Sequence, residues 1–226
     1  WFFFKMDKIK KNLLILNQQI ESIKASNRTV IVAVSKKQDS SKIIEAIKSG
    51  QTIFGENYVQ EALEKQEILK KYNLEWHFIG PIQSNKCKAI AENFSWVQTV
   101  DRLKTAIRIN DAREGMEPIN VCLQINISSE DSKGGVMLEA AEDLFKEVSK
   151  LKNLNIRGLM AIPSNTSNAH VLKKEFQLLK NAYDEFKKTY PSIDTLSMGM
   201  SNDYLEAIQQ GANMIRVGSN IFGERK

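Results

Sequence analysis

The sequence predicts a closed α/β barrel of eight parallel strands, of the TIM type, with one extra helix at its N-terminus. Eight short apolar segments alternate with amphipathic segments along 226 residues, a length that suits one barrel domain. The first segment, residues 29–34, is rich in β-branched residues, as expected of a strand buried on both faces. No GxGxxG turn follows it, which disfavours an open dinucleotide-binding sheet.

The elements follow one another in a regular order. A helix is predicted over residues 7–25, because apolar residues recur there at helical spacing. Strands are predicted over 29–34, 52–54, 76–79, 96–100, 119–127, 155–162, 194–197 and 213–217, and helices over 40–49, 59–72, 86–93, 102–110, 138–151, 169–188 and 203–210. Only residues 221–226 remain for an eighth helix, so we expect the N-terminal helix to cover part of that gap. We interpret residues 1–5 as leader or added residues and 6–226 as one domain.

Composition narrows the class of protein. The 32 Lys and Arg residues are interspersed with 27 Asp and Glu residues, which is typical of solvated helix surfaces rather than of a nucleic-acid interface. No segment approaches the roughly 18 consecutive apolar residues of a membrane span. Cys87 and Cys122 lie far apart and form no disulfide or zinc pattern. We therefore expect a cytoplasmic protein with no nucleic-acid or membrane partner and no bound metal.

Lys36 is the candidate reactive group. Active sites of such barrels lie at the C-terminal ends of the strands, and Lys36 follows the first strand. Period-two alternation places it on the same face as Val32 and Val34, so its amine would emerge from an apolar wall. Desolvation lowers the pKa of a lysine and yields the free amine that attacks an aldehyde. A simple surface lysine is the alternative, and Lys37 faces the other way.

Two turns predict a phosphate site. Residues 197–203 (SMGMSND) lead from the seventh strand into a helix, and residues 217–220 (VGSN) follow the eighth strand. Small residues, hydroxyl groups and helix N-termini together suit an anion. Either turn alone is also explained by ordinary capping chemistry.

Arg216 is the candidate partner for an aromatic nitrogen. It shares a strand face with Met214 and Gly218, and if that face is inward its permanent charge needs a partner at the barrel mouth. An unprotonated ring nitrogen or a carboxylate such as Glu224 would supply one. His77, flanked by aromatic residues, is more typical of a satisfied core residue than of a catalyst.

Six blocks of sequence point to a known family. The chain resembles the YggS-type pyridoxal phosphate homeostasis proteins from about residue 6 to residue 225. The blocks that carry the resemblance are residues 33–36 (AVSK), 54–61 (FGENYVQE), 76–86 (WHFIGPIQSNK), 158–163 (GLMAIP), 196–201 (LSMGMS) and 216–218 (RVG). Six blocks in the family's order form a far more specific signal than any one lysine or glycine turn.

The resemblance implies a cofactor and a set of ligands. The family is similar in fold to the N-terminal barrel of alanine racemase, fold type III, and holds pyridoxal 5′-phosphate (PLP) as a Schiff base. Carried over by motif, the cofactor-binding residues are Lys36 (Schiff base), Arg216 (pyridine nitrogen), Ser201, Gly218 and Ser219 (phosphate), Asn57 (near the cofactor), and Met160 and Met198 (pocket lining). Lys133 is a candidate regulatory or transfer contact, with a solvated loop lysine as the alternative.

This chain departs from the family pattern at two positions. Asn202 stands where many relatives have Asp, and Ser219 where many have Thr. Serine keeps the hydroxyl group, so phosphate binding is expected to persist.

The residues of the predicted cofactor site indicate a carrier rather than an enzyme. We expect no counterpart of the C-terminal β domain of alanine racemase, and no second acid or base is evident for two-sided proton transfer. Arg216 would also keep the pyridine nitrogen unprotonated and weaken the electron sink. We expect a monomer that binds PLP and releases it in vitamin B6 homeostasis, with apo PLP-dependent enzymes as candidate recipients. A weak amino-acid racemase and a cofactor-free Schiff-base aldolase remain the alternatives.

Overall fold

The predicted barrel is confirmed in the computed structural model, which describes residues 7–23, 28–128 and 133–224. Its strands are β1 (Val30–Val34), β2 (Ile53–Glu56), β3 (Glu75–Phe78), β4 (Trp96–Val100), β5 (Ile119–Asn126), β6 (Val136–Met137), β7 (Leu154–Ala161), β8 (Thr195–Met200) and β9 (Met214–Val217). All pairings are parallel, and β4–β5 and β9–β1 close the ring β1-β2-β3-β4-β5-β7-β8-β9. The two-residue β6 pairs with β5 and was not predicted, because it is too short to show a periodicity.

The helices form the outer layer. They are α1 (Lys8–Ser22), α2 (Ser40–Lys48), α3 (Val59–Leu69), α4 (Cys87–Asn93), α5 (Leu103–Ala112), α6 (Leu138–Val148), α7 (Ala169–Thr189), α8 (Tyr204–Gln209) and α9 (Ser219–Phe222), with one 3-10 turn at Ser84–Lys86. As expected, α1 covers the short α9, and the Asn12 side chain donates to the Ile221 carbonyl at 2.9 Å. Among the described helices none has both the length and the apolar character required to cross a bilayer.

The barrel has two apolar layers. The larger lies between strands and helices, where alternate strand residues such as Phe54, Val97 and Leu196 meet the buried faces of the helices. The smaller fills the inside of the barrel and consists of Val32, Trp96, Cys122, Met160 and Met214. Several polar side chains are also buried inside the barrel, and they lead towards its C-terminal mouth.

Candidate functional site

A cavity of about 1220 Å³ lies at the C-terminal mouth of the barrel. It is formed where β1, β2, β3, β7, β8 and β9 end, which is the position expected for this fold. The structure brings six of the eight predicted site residues together in its lining: Lys36, Asn57, Ser201, Arg216, Gly218 and Ser219. These six residues come from the ends of four strands that lie far apart in sequence.

Lys36, and not its neighbour Lys37, lines this cavity, together with Val34 from the same strand face. Lys37 is exposed and has a positive φ of 58°, so the chain turns sharply directly after Lys36. The backbone N–H of Lys37 donates to Oε1 of Glu61 at 2.5 Å. The turn therefore separates two adjacent lysines into one cavity residue and one surface residue.

An ionic cluster of Glu56, Glu61 and Lys65 lies behind Lys36. The Lys65 ammonium donates to Oε1 of Glu56 at 2.8 Å, to Oε1 of Glu61 at 2.6 Å and to the Ser35 carbonyl at 2.6 Å. The Ser35 hydroxyl also donates to Glu56 at 2.6 Å. Burial raises the pKa of Glu56, although Lys65 opposes that rise. Because Glu61 binds the residue after Lys36 and Lys65 the residue before it, the cluster anchors both flanks.

Arg216 is buried on the inner face of β9. Its Nη1 donates to the Ser197 hydroxyl at 2.7 Å and its Nη2 to the Ala161 carbonyl at 2.8 Å. Desolvation lowers its pKa to about 10, and the carboxylate of Asp203 opposes that shift, so the guanidinium stays charged at neutral pH. Its hydrogen bonds within the described residues thus go to neutral oxygens rather than to Glu224.

The two predicted anion-binding turns are neighbours. The Ser201 hydroxyl accepts from the backbone N–H of Gly218 at 3.2 Å, and the Asn220 side chain donates to the Ser201 carbonyl at 2.9 Å. Helix α9 begins at Ser219, and the first N–H groups of a helix have no intrahelical acceptor. The two turns are therefore joined by hydrogen bonds, and Ser201, Gly218 and Ser219 all line the cavity.

Two predicted lining residues lie elsewhere. Met160 belongs to the apolar layer inside the barrel, and Met198 packs in the outer layer, so neither lines the cavity. Ser197 points inward, and strand alternation therefore turns Met198 outward. The ladder then shifts register between Ser197 and Met200, with Gly199 at φ 96°, and Met200 lines the cavity instead. Alternation counted from Ser197 was the available sequence signal.

Asn57 and Lys133 complete the mouth. Oδ1 of Asn57 is buried and has no hydrogen-bond partner among the described residues, so it is an acceptor suited to a ligand donor. Lys133 also lines the cavity, and its ammonium donates to the Pro163 carbonyl at 2.8 Å. This contact differs from the solvated loop lysine considered above. Residues 130–132 of that loop lie outside the described residues.

Comparison with known proteins identifies the family. Residues 4–226 match the family described as alanine racemase, N-terminal domain. The chain is 44% identical over 227 residues to a pyridoxal phosphate homeostasis protein of Haemophilus influenzae, with 96% of each chain covered. The Escherichia coli protein of the same description is 43% identical over 232 residues, covering 97% of this chain and 98% of the other. The chain belongs to the alanine racemase N-terminal domain family and, within it, to the pyridoxal phosphate homeostasis proteins.

Solved structures agree in fold. PipY of Synechococcus elongatus, solved with PLP bound, superposes with a TM-score of 0.87 at 32% identity, over 95% of this chain and 100% of PipY. Alanine racemase of Corynebacterium glutamicum superposes with a TM-score of 0.77 at 16% identity, over 97% of this chain and 62% of that protein, and shows the shared barrel alone. The family membership predicted from six sequence blocks is confirmed.

Proposed function

We propose that this chain binds PLP at the barrel mouth and holds it reversibly through the amine of Lys36, as a carrier in vitamin B6 homeostasis. The observation that carries the proposal is the convergence of Lys36, Arg216 and the two anion-binding turns on one cavity. Relatives described as pyridoxal phosphate homeostasis proteins, and PipY with PLP bound, support the choice of ligand.

The residues present fit such a group. The Ser201 and Ser219 hydroxyls, which line the cavity, and the first N–H groups of α9 are candidate donors for a phosphate. Arg216 is a buried donor for a ring nitrogen, and the unpaired Oδ1 of Asn57 is an acceptor for a ring substituent. When bound, PLP supplies an aldehyde that condenses reversibly with a primary amine.

The charge on Arg216 favours storage over catalysis. An arginine that keeps its proton disfavours protonation of the neighbouring ring nitrogen, and an unprotonated ring stabilises carbanions poorly. Two further titratable side chains of the lining are already engaged. The Tyr204 hydroxyl donates to Gln19 at 2.6 Å, and Asp203 accepts from the Met200 N–H at 2.5 Å. These contacts favour a structural role for both side chains over proton transfer opposite Lys36.

We infer that release, rather than turnover, is the useful step, and that apo PLP-dependent enzymes receive the cofactor from a monomeric carrier. The two cysteines are free and buried, which suits the reducing cytoplasm. Transfer is measured by mixing the loaded protein with an apo PLP-dependent enzyme and following recovery of that enzyme's activity against free PLP. Recovery no faster than PLP loss into buffer would contradict a carrier role.

The attachment site is tested by borohydride reduction followed by peptide mass spectrometry. We expect the visible absorption band to vanish on reduction and the label to map to Lys36. Lys36→Ala should lose both band and label, whereas Lys37→Ala, the matched neighbour, should retain both. A label on Lys37 or on another lysine would contradict the assignment.

Weak racemase activity is the second candidate, favoured by the match to the alanine racemase N-terminal domain. Exchange of the α-proton of D- and L-alanine in deuterated water distinguishes the two. Exchange above the Lys36→Ala background would support the racemase, and none would support the carrier.

A further inference from the structure

A chain of buried hydrogen bonds crosses the barrel behind Arg216. Arg216 Nη1 lies 2.7 Å from Ser197 Oγ, which lies 2.6 Å from Gln98 Oε1. Gln98 Nε2 lies 2.8 Å from Nδ1 of His77, and the His77 Nε2 lies 2.7 Å from Oε1 of Glu75. Because Glu75 begins β3, this relay joins the cavity to the opposite rim of the barrel.

With the Glu75 carboxylate as the terminal acceptor, the relay has one consistent order of donors. Arginine can only donate, so the Ser197 oxygen accepts and its O–H is directed to the Gln98 carbonyl oxygen. Gln98 then presents its NH₂ group to His77, whose Nδ1 must accept. The ring proton therefore lies on Nε2 and is donated to the Glu75 carboxylate.

The surroundings favour this arrangement of charge. His77 is fully buried and stacks on Trp96 with ring centroids 5.0 Å apart, and burial lowers its pKa, so the ring is neutral. Its hydrogen bond, helped by the nearby Arg157, lowers the pKa of Glu75, which is therefore ionised. Arg157 lies over Trp96 at 4.9 Å and pairs with Asp194 at 2.5 Å. A neutral imidazole thus faces a carboxylate acceptor.

We propose that Ser197, Gln98 and His77 are positioning residues that fix the Arg216 guanidinium, and that Glu75 selects their donor order from the far rim. Ser197 and the Ala161 carbonyl hold the two Nη atoms and so define the plane of the guanidinium. A proton on Nδ1 of His77 would oppose the Gln98 NH₂ group and turn that amide over. Ser197 would then lose its acceptor. That Arg216 meets the cofactor ring rests on the function proposed above; the order of the relay does not.

The donor order is tested first in the cofactor-free protein. The chain has two histidines, and His170 is exposed, so ¹⁵N-histidine labelling gives one relay signal and one reference signal. We expect His77 to carry its proton on Nε2 at neutral pH, and Glu75→Leu to populate the other tautomer. A proton on Nδ1 in the parent protein, or an unchanged tautomer in Glu75→Leu, would overturn the proposal.

The effect on Arg216 is tested with PLP labelled at the ring nitrogen. Ser197→Ala removes the acceptor of Nη1 and should weaken PLP binding roughly 10- to 100-fold and move the ¹⁵N shift of the ring nitrogen. Ser197→Thr keeps the hydroxyl and should restore most of both. The matched control is Thr99→Val, which deletes another buried hydroxyl, bonded to the Gly80 carbonyl at 2.7 Å, outside the relay.

The outcomes separate the two proposals. Equal effects of Ser197→Ala and Thr99→Val would show a general loss of packing and overturn the positioning role. A parent protein that takes up no PLP would overturn the proposed function, and the tautomer of His77 would still decide the donor order of the relay.

Discussion

Replacing Lys65 by Met should destabilise the barrel strongly, because it leaves Glu56 as a buried carboxylate without its cation. The side chains of Lys65 and Glu56 are 7% and 0% exposed. Removing one partner of a buried ion pair costs about 3–5 kcal/mol. The alternative is that Glu56 takes up a proton, and from its ordinary pKa of 4.5 this costs at most about 3.4 kcal/mol at pH 7. We therefore expect a loss of about 3 kcal/mol.

The pH dependence identifies the cause. In Lys65→Met the pKa of folded Glu56 lies above its value in the unfolded chain, so the folded state binds the extra proton. Its stability should then rise by up to about 1.4 kcal/mol per pH unit on acidification from pH 7 towards pH 5. The penalty relative to the parent shrinks until Glu56 of the parent, whose pKa is also raised, takes up its own proton. Urea unfolding, followed by tryptophan fluorescence and circular dichroism, measures the free energy of unfolding at each pH. In thermal unfolding at neutral pH, the Tm of the variant should be about 6–12 °C lower.

Lys70→Met is the matched control. Lys70 lies at the end of α3, the helix that contains Lys65, and it pairs with Glu67. The two side chains are 71% and 72% exposed. Such a surface pair contributes about 0–1 kcal/mol. The double variant Lys65→Met with Glu56→Gln should recover much of the loss, since it buries no unpaired charge. Equal losses in Lys65→Met and Lys70→Met, or a penalty independent of pH, would refute the reasoning.

Three other perturbations have defined outcomes. Burial lowers the pKa of His77, so below pH 6.5 the unfolded chain binds a proton that the folded chain does not. The free energy of unfolding should therefore fall by up to about 1.4 kcal/mol per pH unit as the pH drops through 6.5. Urea unfolding should show a smaller loss over this range in His77→Gln. Burial raises the pKa of the Cys122 thiol to about 12, so maleimide should label it only in urea, and rapid native labelling would contradict its burial. Arg216→Glu should raise background transamination of amino acids by loaded protein, followed by absorbance; an unchanged rate would contradict the role given to the arginine.

The fold was predictable because a parallel barrel imposes its period on every strand. Runs such as residues 32–34 are buried on both faces, and the glycine and polar turns between the segments define eight units. Helix ends were less well predicted: the helix expected to reach residue 72 ends at Leu69. Local helix propensity does not predict the residue at which a helix loses its packing contacts with the barrel and ends.

The site was predictable where residues follow directly from strand ends, as Lys36 and Arg216 do. Alternation from an inward Ser197 would have excluded Met198, but the place of Met200 in the lining was not predictable, because the ladder shifts register around Gly199. The ionic cluster and the relay were also missed. The relay joins residues of four strands whose side chains meet only after the ring has closed, so no local pattern contains it. In the cluster the i,i+4 spacing of Glu61 and Lys65 was a local signal, but their contacts with Ser35 and Glu56 depend on the packing of α3 against β1 and β2.

The first helix is fastened to the last part of the chain. The Asn12 side chain donates to the Ile221 carbonyl, 209 positions away, and Gln19 accepts from the Tyr204 hydroxyl, 185 positions away. Both contacts lie next to the two predicted anion-binding turns. During synthesis α1 emerges long before residues 204 and 221, so neither bond can form until those residues have been made. A ribosome-bound fragment that lacks these residues is therefore expected not to bind pyridoxal phosphate.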